Sequence, residues 1–191
     1  MYYGNASATD AQNASGVWDS NFSAVWHFNG SFNDSTSAAA NGVNNGSTSA
    51  AGKFANGLNF NGTSGYVQTP VSLKTVNNYT ISLWFRSGDT VNPRHLVWQG
   101  PATENGWGVN DTPATLEMHL SFSFVGGAPA NCLGYYYGYV DTVGSTQTYI
   151  TQANGAFTDT TNWNHLAVSV QSAGSAPFAS LYLNGNLIGS A

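Results

Sequence analysis

Short runs of alternating apolar and polar positions recur along the chain, each closed by a cluster of Gly, Asn or Ser, and no helical period persists for a useful length. The clearest run is Tyr79–Arg86. By the two-residue period of a strand, Ile81, Leu83 and Phe85 share one face, and Thr80, Ser82 and Trp84 share the other. That pattern predicts a sheet with a core face and a polar, concave face that carries a Trp. Runs of the same kind predict strands near Ala24–Phe28, Leu58–Phe60, Gly65–Gln68, His95–Gln99, Gly106–Val109, Leu116–Phe124, Leu133–Val140, Thr148–Thr151, His165–Gln171 and Ala179–Leu183. Asn184-Gly185 signals a tight hairpin turn, with the chain returning through Asn186–Gly189. Residues 1–23 are polar and aperiodic, and read as a linker or the tail of an upstream domain. Residues 33–53, rich in Asn, Ser, Ala and Gly, read as a long surface loop. Residues 24–191 then form one all-β domain.

Composition narrows the function. Only 7% of the 191 residues are charged, against roughly 25% in ordinary soluble proteins. The surface must therefore be built from Asn, Ser, Thr, Gln and Gly, which suits an extracellular or cell-surface protein. Nine Asn-x-Ser/Thr sequons (Asn5, Asn13, Asn21, Asn29, Asn33, Asn45, Asn61, Asn78 and Asn110) fit that setting, although an Asn- and Ser-rich chain also makes them by chance. With four Lys plus Arg and a net charge of -5, the chain lacks the cations that neutralise phosphates. Nucleic acid is excluded as a partner, as is a polybasic membrane surface. No apolar run is long enough for membrane insertion. The lone Cys132 forms no intrachain disulfide, and without a basic neighbour it reads as a buried apolar residue.

Five segments, in order, resemble the concanavalin A-like, laminin-G-like domains. They are Ala24-Val-Trp-His-Phe-Asn-Gly-Ser-Phe-Asn-Asp-Ser-Thr36, Gly52–Val67, Tyr79–Arg86, Asn162-Trp-Asn-His-Leu-Ala-Val-Ser-Val170 and Leu181-Tyr-Leu-Asn-Gly-Asn-Leu-Ile-Gly189. The resemblance implies an antiparallel two-sheet β-sandwich of jelly-roll topology. Domains of this family usually continue past the last hairpin into a closing strand. A chain ending at Ala191 is expected to leave an open sheet edge and to self-associate through it. The family sometimes holds a structural Ca²⁺ near its first strands, and the best match here is Asp34 with Asn33 and Asn61.

The residues themselves suggest a glycan or polysaccharide as partner. Sugars stack their C–H faces on aromatic rings, and Leu133–Val140 concentrates Tyr135, Tyr137 and Tyr139 on one strand face. A solvated face would make them a binding platform, with Trp98 and Trp107 in support; a buried face would make them sheet packing. The alternative is a glycoside hydrolase. The paired-carboxylate motif of concanavalin A-like glucanases is absent, but Glu117 and His119 share a strand face, and Glu117 can pair with Asp141, Asp111 or Glu104 from another element. A third reading is a ligand-free structural spacer. The leading expectation is a carbohydrate-binding or adhesion module of a larger secreted protein.

Overall fold

The structure, a computed structural model, describes residues 7, 9, 11, 13–73, 78–88, 94–99, 116–120, 132–140, 146–173 and 176–191. It divides into two compact units, Met1–Val71 and Ser72–Ala191.

The first unit contains a single helical turn, α1 (Ala14–Val17), capped by the Asn13 side chain accepting from the Gly16 N–H. Two antiparallel ribbons follow. β1 (Val43–Asn45) pairs with β4 (Tyr66–Gln68), and β2 (Thr48–Ala51) pairs with β3 (Asn56–Asn59). About a third of the expected long loop at 33–53 is thus strand, in β1 and β2. The expected strand at Ala24–Phe28 is reduced to one bridge, Trp26 to Asp34. Phe28 takes φ +54°, which ends an extended run, and the Trp26 indole donates to the Ala40 carbonyl at 2.9 Å.

The second unit is an antiparallel β-sandwich. β5 (Asn78–Phe85) is followed by a meander of β6 (Arg94–Gln99), β7 (Leu116–Leu120), β8 (Leu133–Val140) and β9 (Thr146–Ala153), which forms one sheet in the order β6-β7-β8-β9. The chain then returns as β10 (Asn164–Ala173), β11 (Ala176–Leu183) and β12 (Asn186–Ser190). The second sheet has the order β12-β11-β10-β5. β5 and β10, far apart in sequence, are neighbours because the whole meander is inserted between them, Trp84 lying opposite His165 and Leu83 opposite Leu166.

Alternation decides what lies between the sheets. Leu166, Val168 and Val170 of β10, Ala179 and Leu181 of β11 and Phe85 of β5 face Met118 of β7 and Leu133 and Tyr135 of β8. Phe157, from the link between β9 and β10, closes this core with its ring 5.2 Å from that of Phe85. The β11–β12 hairpin turns at Asn184 (φ +50°) and Gly185 (φ +83°). Two left-handed residues in succession match the twist of the flanking strands, which is why Asn-Gly stands there. The pairing extends to the last residue through reciprocal N–H···O bonds between Ala179 and Ala191. The expected strand at Gly106–Val109 lies outside the described residues.

Candidate functional site

Of the three Tyr of the expected platform, Tyr135 does not face solvent. Tyr135 is 0% exposed and sits in the sandwich core, its hydroxyl hydrogen-bonded to that of Tyr79 on the facing sheet. The two-residue period identified which residues share a face; it carried no information on which face the other sheet would cover. Tyr137 and Tyr139 occupy register positions opposite Tyr149 and Gln147 of β9, and their side chains are outside the described residues. Trp107, Glu104, Asp111 and Asp141 also lie outside them. Trp98 is 37% exposed on β6. In register, Glu117 stands between Trp98 and Tyr136, and His119 between His95 and Gly134.

Asp34 is a loop organiser. Its carboxylate accepts from the Val25 N–H (2.8 Å), the Thr36 N–H (3.0 Å), the Thr36 hydroxyl (2.6 Å) and the Ala40 N–H (2.9 Å). These four donors saturate the roughly four acceptor positions of a carboxylate. Asn61 is used in the same way, its Oδ1 accepting from the N–H groups of Thr63, Ser64 and Gly65. At Asn33 the N–H donates to the Ser31 hydroxyl. A calcium ion needs roughly 6–8 oxygens aimed at one point, so it would have to displace the donors that shape these turns. The donor set at Asp34 and Asn61 does not fit it. Among the described residues, no group of three or more His, Cys, Asp or Glu is arranged to hold a metal.

Burial raises the Asp34 pKa, but the bonds from Thr36, Val25 and Ala40 outweigh it and lower the value from 3.8 to about 2. The folded value lies below the unfolded one, so the stabilisation is fully present above about pH 4 and is lost as pH falls toward 2. Asp159 shows the same lowering to about 2, caused by hydrogen bonds from Asn162 and Thr161. Acid titration followed by tryptophan fluorescence is expected to show loss of structure between pH 4 and 2. In Asp34→Asn that step should shrink, while stability at pH 7 falls by about 2 kcal/mol; an unchanged acid profile would refute the role given to Asp34.

Cys132 is fully buried, and burial pushes its thiol up to about 11, leaving it protonated and unreactive at neutral pH.

The face that does combine exposure with aromatic chemistry is the outer side of the β12-β11-β10-β5 sheet. Along β5 the residues alternate between exposed and more buried, leaving Thr80, Ser82 and Trp84 outside as the sequence pattern required. Trp84 is 41% exposed and its ring lies 5.1 Å from that of His165, its cross-strand partner on β10. Just beyond this pair, the Arg86 guanidinium stands over the Trp163 ring at 5.4 Å. Hydrogen bonds hold this end of the sheet in place. The His165 N–H donates to Asn184 Oδ1 at 2.8 Å, and Asn184 Nδ2 donates to Asn164 Oδ1 at 3.0 Å. Buried Asn164 in turn donates to the carbonyls of Asp159 and Asn162. The hairpin turn, the start of β10 and the loop before it are thereby one unit, on which Trp163 and His165 are mounted. The signal for this cluster was present as Trp84 on the polar face of its strand. Its partners come from the far end of the unit's sequence, and only strand pairing reveals them.

Two sheets of this topology, packed on a common core and carrying a polar outer face, define a lectin-like β-sandwich. Residues 61–191, more than half of the chain, match the family described as the concanavalin A-like lectin/glucanases superfamily (Laminin_G_3), and the chain belongs to that family. The match takes in the last three of the five resembling segments and the end of the second. No curated protein and no solved structure matches the chain significantly. No helix among the described residues is long and apolar enough to cross a membrane.

Proposed function

We propose that this chain is a carbohydrate-binding or adhesive module of an extracellular protein, and that it holds saccharide on the outer face of the β12-β11-β10-β5 sheet. The observation that carries this reading is the exposed Trp84 ring, mounted beside His165, with the exposed Ser82 and Thr80 further along the same strand face. An aromatic ring presents an apolar surface to the C–H face of a pyranose, while nearby hydroxyl and imidazole groups pair with its hydroxyls. A nearly uncharged surface keeps the desolvation cost of such contacts low.

The test is retention on a panel of soluble and insoluble polysaccharides, with release of reducing sugar measured in the same samples. Binding without release is expected, and Trp84→Ala should weaken it at least about tenfold, as truncation of a central aromatic anchor does. Unaltered retention by Trp84→Ala would remove this face from consideration. Glycoside hydrolysis is the second reading, favoured by the register row that sets Glu117 between Trp98 and Tyr136. Sugar release abolished by Glu117→Gln would replace the first reading with it.

A further inference from the structure

We infer that the saccharide taken by this face carries a carboxylate, and that Arg86 is its receptor. The inference rests on the glycan-binding reading above and adds the chemical class of the ligand.

Cations are scarce in this chain: four Lys plus Arg against nine Asp plus Glu. One of the four, Arg86, is placed at the aromatic end of the outer face. Its guanidinium lies over the Trp163 ring, and among the described residues no carboxylate pairs with it. The nearest acidic group in the loop before Trp163 is Asp159, whose carboxylate is spent on Thr161 and Asn162. The outward positions of β5 and the facing stretch of β10, including Thr80, Ser82, Trp84, His165 and Ser169, hold no acidic residue. In a protein of net charge -5, the described residues of this face carry the opposite charge.

The geometry of the cation also matters. The ring contact takes up none of the guanidinium's N–H donors, and among the described residues none of them is hydrogen-bonded, which leaves them available to a ligand. Two parallel N–H groups match the two oxygens of a planar carboxylate, a pairing that an ammonium group does not reproduce. Arg86 follows directly on the last residue of β5, two positions beyond Trp84, where continued extended backbone would set it on the face of Trp84 about 6–7 Å along the chain. A single pyranose ring stacked on Trp84 spans that distance with the carboxylate on its C5. Trp84 then supplies contact common to many sugars, and Arg86 selects the uronic acid among them.

The experiment uses the whole chain and three carboxylated polysaccharides, polygalacturonate, alginate and hyaluronan, each beside its carboxyl-esterified form. Affinity electrophoresis or calorimetry is run on the wild type and on Arg86→Gln, Arg86→Lys and Trp84→Ala, with circular dichroism as the folding control. At least one carboxylated polymer should bind, and esterification should weaken it about tenfold, as loss of a charge-assisted hydrogen bond does. Arg86→Gln should lose the same factor on the free acid and nothing on the ester. Arg86→Lys should recover only part of it. Trp84→Ala should weaken both forms. Equal binding of acid and ester, or an Arg86→Gln variant indistinguishable from wild type, would overturn the inference while leaving the glycan-binding face intact. Binding of a sulfated polymer alone would overturn it as well. Binding of no saccharide in the wider panel would overturn both readings together.

Discussion

Phe157→Ala is expected to destabilise the Ser72–Ala191 unit by about 3–5 kcal/mol, the cost of deleting a fully buried aromatic ring. Phe157 belongs to no strand. It enters the core from the link between β9 and β10, where the chain crosses from one sheet to the other, and it packs on Phe85 at 5.2 Å and 46°. Strand side chains alternate, so a sandwich closes its ends with residues brought in by such crossings. Truncating one leaves a cavity between two sheets whose hydrogen-bond ladders resist collapse. Urea denaturation read by fluorescence measures the effect, with Phe178→Ala on the exposed side as the control expected to change stability by less than about 1 kcal/mol. A loss at Phe157 no larger than at Phe178 would show that the ring is not part of the core.

Asn164→Ala should cost about 2–4 kcal/mol, more than its few side-chain atoms suggest. Asn164 is 2% exposed, and its amide serves three partners: the carbonyls of Asp159 and Asn162, and the Asn184 side chain. Alanine leaves two part-buried carbonyls without their donor, and it frees the Asn184 amide that holds the His165 N–H. Hydrogen exchange at His165 gives an independent check. That amide should exchange faster in Asn164→Ala, and unchanged protection would show that the network does not transmit from the loop to β10. The two predicted losses concern different parts of the unit: Phe157 supports the core, and Asn164 supports the mounting of Trp163 and His165.

Much of the fold was legible before the structure. The run Tyr79–Arg86 gave its two faces correctly, because Ile81 and Leu83 pack on the core while Thr80, Ser82 and Trp84 lie outside. The hairpin at Asn184-Gly185 was legible for an equally local reason, the positive φ that these two residues accept. Where the local pattern failed, a side chain had overridden it. Ala24–Phe28 has the alternation of a strand, yet Asp34 draws the Val25, Thr36 and Ala40 N–H groups to itself, and Phe28 turns left-handed. β1 and β2 escaped notice because strands of three and four residues made of Asn, Ser, Thr, Ala and Val offer little hydrophobic signal.

The candidate site shows the same division. The amino-acid sequence by itself determined the periods, the turns, the scarcity of cations and the family, all of which depend on neighbours along the chain or on composition. Only the tertiary structure decided that Tyr135 faces inward toward Tyr79, that Asp34 spends its carboxylate on its own loop, and that Trp84 and Arg86 meet His165 and Trp163. The physical reason is that strand period states which residues point the same way. Which way is inside is set by the second sheet, and which strands are neighbours is set by a connection that inserts four strands between β5 and β10.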